Sequence, residues 1–131
     1  MALCVLPTAT AHAVDVTPQA ACISGAKKYD VGTLGYVEWL QDPNTLCGYP
    51  GDSFRICDDN ADGWGIQVDR YLTGLTDDTY LDSRSTAGHA AGYCTGWDSY
   101  NLNEGTSVKL VAYGVKSGHF ADTEYTFYVH T

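Results

Sequence analysis

At 131 residues the chain is long enough for one domain around a single core and too short for two large ones. With 16 Asp and Glu against 7 Lys and Arg, its formal net charge is −9. That excludes nucleic acid and anionic membrane surfaces as partners, since both require clustered basic side chains, and leaves a basic protein partner or a neutral polysaccharide open. The 10 Tyr and 3 Trp favour β structure and stacking surfaces over helix bundles.

Residues 1–13 run from apolar to small side chains and end in Ala11-His12-Ala13, the A-x-A pattern that signal peptidase cuts. They read as the remnant of a signal peptide whose true start lies further upstream, with maturation at Val14 and a secreted, extracellular product. Removing them takes Cys4 away and leaves Cys22, Cys47, Cys57 and Cys94. An even number of cysteines in an exported chain implies two disulfides, and three pairings are open. Cys22 with Cys47 and Cys57 with Cys94 is preferred, because it gives each part of the chain its own staple. No C-x-x-C or H-x-x-x-H spacing supports zinc.

Thr17 as N-cap and Pro18 at the first helical position predict a turn or two of helix that stops at Gly25. Lys27-Lys28-Tyr29 then leads into a strand over 33–40, where Tyr36 and Glu38 alternate with Val37 and Trp39. Turn clusters at Asp42-Pro43-Asn44 and Gly48 to Asp52 set the expected boundary between an N-terminal extension, 14–51, and a compact domain, 52–131.

From Ser53 onward the pattern has a period of two. Phe54 and Ile56, then Trp64, Ile66 and Val68, then Val108, Leu110 and Ala112, then Tyr125, Phe127 and Val129 each mark one strand face. Short strands separated by turns, with no helical period, predict an all-β antiparallel sandwich of immunoglobulin or fibronectin type. Between Cys57 and Trp64, Asp58, Asn60, Asp62 and Gly63 match the opening of an EF-hand calcium loop. The remainder departs, with Ile66 and Asp69 where later ligands belong, so a tight acidic hairpin turn is the expectation. No cofactor is expected; Asp58, Asn60 and Asp62 are the candidates should calcium bind.

The segment Asn101 to Ala112 resembles the strand-F region of fibronectin type III domains, with Val108 where that family has its corner tyrosine. More broadly, Cys57 to Gly65, Gly92-Tyr93-Cys94-Thr95-Gly96-Trp97 and Asn101 to Thr106 are similar to the small secreted β proteins of Streptomyces and related actinomycetes. Some of these resemble the adaptor subunit of umbrella toxin particles. That resemblance implies a protein that joins a lectin-bearing subunit to a toxin stalk and inserts an N-terminal strand into its partner.

His89, His119 and His130 have no nucleophile elbow beside them, and a chain this short has little material to wall a catalytic cleft. The expectation is a secreted, non-catalytic binding module. Its contact residues would be Lys27, Lys28 and Tyr29, which can add an edge strand to a partner, with Tyr36 and Trp39 on the next strand and Trp97, which is either an exposed stacking side chain or packed on the Cys94 disulfide. A protein adaptor in an exported antibacterial toxin complex leads on resemblance. A carbohydrate-binding module comes next, built on Trp64, Tyr93, Trp97 and Tyr100. A protease inhibitor that offers a lysine is third.

Overall fold

The alternation read from Ser53 onward becomes the interior of a sandwich. A computed structural model describes residues 25–131. Its elements are β1 (Lys27–Val31), β2 (Gly35–Leu40), β3 (Ser53–Asp58), β4 (Gly65–Leu72), β5 (Thr79–Ser85), β6 (Asp98–Ser99), β7 (Ser107–Lys116) and β8 (His119–His130). They form two four-stranded antiparallel sheets, β1-β2-β3-β6 (sheet I) and β5-β4-β7-β8 (sheet II). Strand side chains point to opposite faces in turn, so one phase of each strand meets between the sheets. Val37 and Trp39, Phe54 and Ile56, Ile66 and Val68, Val108, Leu110 and Ala112, and Val129 make that core. Each fully buried large aliphatic contributes about 1.5–3 kcal/mol.

The boundary expected between 51 and 52 falls inside a sheet. β1 and β2 pair with each other and β2 pairs with β3, in register from Gly35 opposite Asp58 to Leu40 opposite Ser53. Val31, Val37 and Trp39 join the common core, so 25–40 belongs to the sandwich itself and is no separable extension. The turn residues at 41–52 misled because they make an excursion between neighbouring strands instead of ending a domain. Asn44 and Tyr49 exchange backbone hydrogen bonds there at 2.9 and 3.0 Å, and the Asn44 side chain accepts from the Cys47 amide at 3.1 Å. Gly35 is required at the β1–β2 hairpin: its φ is +154°, and a Cβ would stand 2.1 Å from the Cys57 carbonyl oxygen.

Cys57 and Cys94 form the expected disulfide. It ties β3 to an isolated bridge in the segment before β6, flanked by backbone bonds from the Asp58 amide to the Tyr93 carbonyl and from the Thr95 amide to the Ile56 carbonyl. Closing 37 residues of chain stabilises the fold by about 4 kcal/mol in the chain-entropy model. Cys47 is also disulfide-bonded. Cys22, the helical turn at Thr17-Pro18 and residues 1–13 lie outside the described residues.

The acidic turn after Cys57 is not a hairpin, because β3 and β4 lie in different sheets. It is an arch over the sandwich end. Asp58 Oδ1 accepts from the Asn60 amide at 3.1 Å and Asp62 Oδ1 from the Trp64 amide at 2.8 Å. The last hairpin, β7–β8, turns on Ser117 and Gly118, both at positive φ (50° and 76°), as a two-residue type I′ turn demands.

Candidate functional site

With one phase of every strand buried, function is left to the opposite phases, and the two sheets present different outer faces. On sheet I that phase carries Lys28 and Asp30 from β1, Tyr36 and Glu38 from β2, and Arg55 from β3. Cations and rings alternate across it. Lys28 Nζ lies 4.0 Å from the Tyr36 ring centre, Arg55 pairs with Glu38 and stands 4.9 Å from the Trp97 ring, and Trp97 packs on Tyr49 at 5.2 Å. The structure thus gathers Lys28, Tyr36 and Trp97, three of the residues the sequence singles out, on one surface.

The other three stand apart from it. Lys27 is exposed at the start of β1, 5.5 Å from the Tyr29 ring. Tyr29 turns toward the core and packs on Phe127 at 4.9 Å. Trp39 is only 4% exposed, and its indole N–H donates to the His130 carbonyl at 3.1 Å. It is a core residue and not the contact residue expected from sequence, because its phase on β2, shared with Val37, faces the other sheet. Trp64, which shares its sequence phase with Ile66 and Val68, is only half-buried just before β4, with Lys116 Nζ 5.8 Å from its ring. The outer edge of β1 pairs with no described strand.

Sheet II carries a second surface, which reading the inward phases passed over. Three rows of side chains cross its strands in register: Tyr80, Tyr71, Lys109 and Tyr128; then Ser83, Asp69, Val111 and Thr126; then Ser85, Gln67, Tyr113 and Glu124. Phe120 meets Tyr113 edge-on at 5.3 Å, and Tyr71 meets Tyr80 in the same way at 5.6 Å. Between them lies an open cleft of about 500 Å³, lined by Asp69, Tyr71, Lys109, Tyr113, Phe120 and Glu124 among others. Gln67 Nε2 donates to Tyr113 Oη at 2.8 Å and to Asp69 Oδ1 at 3.1 Å, and Tyr113 Oη donates to Asp69 Oδ2 at 2.7 Å. Burial, and then the bond to Asp69, pushes the Tyr113 phenol well above its ordinary range. Burial also raises Tyr71, with the Asp69 charge second. Lys109 donates to Asp78, which holds the Asp78 carboxyl below and the ammonium above their usual values.

The loop that resembles a calcium site uses an oxygen each of Asp58 and Asp62 to hold its own backbone. Among the described residues no group of three or more His, Cys, Asp or Glu is arranged to hold a metal ion. Burial raises the Asp58 pKa, against the lowering effect of the Asn60 amide. No helix among the described residues is long and apolar enough to cross a membrane, and the disulfides point to an oxidising compartment. No protein family, curated protein or solved structure matches the chain.

Proposed function

We propose that the protein is a secreted, non-catalytic binding module that acts as a protein adaptor through β1 and the outer face of sheet I. The observation that carries this reading is the band of Lys28, Tyr36, Arg55, Trp97 and Tyr49 that runs across the outer face of sheet I from β1, whose outer edge pairs with no other described strand. Trp, Tyr and Arg are the residue types that dominate binding energy at protein interfaces. An edge that pairs with no other described strand offers backbone donors and acceptors to an extended segment of the partner. Lys27 and Lys28 on that edge discourage indiscriminate strand pairing and favour a partner strand with carboxylates opposite them. This retains β1 as the contact element expected from sequence while making it part of the folded domain. The partner is a secreted protein, and the resemblance to umbrella-toxin adaptors specifies it as a lectin-bearing or toxin-stalk subunit of an exported antibacterial complex. Isolation of the native secreted protein followed by mass spectrometry of what accompanies it tests the reading; a chain that consistently comes out alone contradicts it.

A further inference from the structure

We propose that the outer face of sheet II is a second, independent site, which takes a linear glycan free of acidic groups and prefers one that bears amino groups. The inference starts from the three rows. The two outer rows carry the rings Tyr80, Tyr71 and Tyr128 on one side and Tyr113 on the other, with Phe120 beyond it. The middle row is low: Ser83, Asp69, Val111 and Thr126. At about 3.4 Å per residue the ring-bearing rows stand about 13 Å apart, and four strands at about 4.8 Å spacing make the trench about 14 Å long. It therefore runs across the strands as a groove open at both ends, the shape that suits a segment of a polymer. Its central part, lined by Asp69, Tyr71, Lys109, Val111, Tyr113 and Phe120 and flanked in register by Tyr80 and Tyr128, holds about 500 Å³, within the ordinary range of ligand clefts, about 300–1,000 Å³.

The chemistry of the walls selects the ligand. Sugar rings have C–H faces that pack on aromatic side chains and hydroxyls that need partners when they leave water. Tyr80, Phe120 and Tyr128 are 55%, 59% and 62% exposed, an unusual amount of open ring for one sheet face. The floor supplies fixed polar groups, because Gln67, Tyr113 and Asp69 already hold one another at 2.7–3.1 Å and need little further ordering on binding. A polypeptide is a poorer occupant. Its backbone amides need a row of backbone partners, which strand edges offer and sheet faces do not.

Charge narrows the class further. Asp78 is neutralised by Lys109, which leaves Asp69 and Glu124 as the uncompensated charges of the cleft, within a chain of net charge −9. Uronate or sulfated polymers are repelled, whereas a protonated amino sugar is attracted to the carboxylates and to the ring faces.

Calorimetric titration of the full chain with hexasaccharides of glucosamine, glucose and galacturonic acid tests this. The glucosamine oligomer should bind tightest, the glucose oligomer more weakly and the galacturonate oligomer not at all. Tyr128→Ala and Phe120→Ala should each weaken binding at least about tenfold with an unchanged circular dichroism spectrum, since both side chains are exposed. Glu124→Gln should bring the glucosamine oligomer down to the level of the glucose oligomer. The proposal is overturned if no oligomer binds, if the acidic one binds as tightly as the amine-bearing one, or if the ring variants bind as the parent does. It is equally overturned if those variants lose a protein partner in place of a glycan. A protein contact on sheet I can fail or survive separately, because none of these substitutions touches Lys28, Tyr36, Arg55 or Trp97.

Discussion

Arg70 donates to both carboxylate oxygens of Asp82, through Nε at 2.8 Å and Nη2 at 2.5 Å, from a position with no solvent exposure at all. It shares its phase on β4 with Ile66 and Val68, so the sandwich holds a full positive charge where a hydrophobic side chain is expected. The same guanidinium donates to Asp98 Oδ2 at 3.1 Å and to the Asp98 carbonyl at 3.2 Å, and stands 4.9 Å from the Phe54 ring centre and 5.1 Å from that of Tyr100. Asp98 belongs to the two-residue strand β6 of sheet I and Asp82 to β5 of sheet II. One side chain therefore ties together the edges where both sheets are thinnest.

Removing Arg70 should destabilise severely. Breaking a buried pair by deleting one partner costs about 3–5 kcal/mol, because the carboxylates are left uncompensated, so Arg70→Ala should lower Tm by more than about 10 °C. Arg70→Met combined with Asp82→Leu should recover much of that loss, since apolar replacement of a whole buried pair is often tolerated. Thermal denaturation of the two variants checks both statements.

β1 and β2 are integral to the fold, so deletion of 27–40 should abolish cooperative unfolding instead of leaving a stable 52–131 domain. Trp39→Ala should cost about 3–5 kcal/mol by opening a cavity between the sheets. Urea titration measures the second effect and heteronuclear spectra of the truncated chain the first.

Asp58 gives a signed pH dependence. Its folded carboxyl pKa is raised above 3.8, chiefly by burial, so the native state holds its proton more tightly than the unfolded chain does. Its contribution is present at lower pH and is lost as pH rises from about 3.8 through the raised folded value. Asp52, raised in the same sense by burial, adds to this, while Asp78, lowered by Lys109, opposes it. Asp58→Asn keeps an acceptor for the Asn60 amide and should flatten the fall in stability over that window relative to the parent. Millimolar calcium should leave Tm unchanged, as the loop oxygens already serve its own amides; a rise of several degrees that Asp62→Ala removes would identify a metal site.

Tyr113 and Tyr71 should ionise above the ordinary range of a phenol, chiefly because both are buried. In an alkaline titration followed by ultraviolet absorbance, Asp69→Asn should bring the Tyr113 transition down by removing both the hydrogen bond to a carboxylate and its negative charge.

Much of the interior was legible because burial imposes a period of two. Phe54, Ile56, Ile66, Val68, Val108, Leu110, Ala112 and Val129 all occupy the face that their alternation assigns, whereas Trp39, expected as a contact residue, joins them in the core. β5 escaped notice, since Thr79–Ser85 carries Asp82 and Arg84 among small polar residues, and its membership rests on pairing with β4 and on the contact of Asp82 with Arg70, twelve residues away in sequence. The acidic loop after Cys57 was read as a hairpin because turn residues report a reversal of direction and not whether the next strand joins the same sheet. The ring-bearing face of sheet II was written in the opposite phase: Tyr71, Lys109, Tyr113, Glu124 and Tyr128 each alternate with a core position. Only the register between strands turns those separate residues into rows, and register is set by long-range pairing.

The central claim, that sheet I and the edge of β1 hold a secreted protein partner, is tested most directly by purifying the native secreted protein and its Lys28→Glu and Trp97→Ala variants and identifying by mass spectrometry what accompanies each. A defined partner in constant proportion with the parent, lost from both variants while their Tm shifts by no more than a few degrees, is the predicted result. A parent that comes out alone, or variants that retain the same partner in the same proportion, would contradict it.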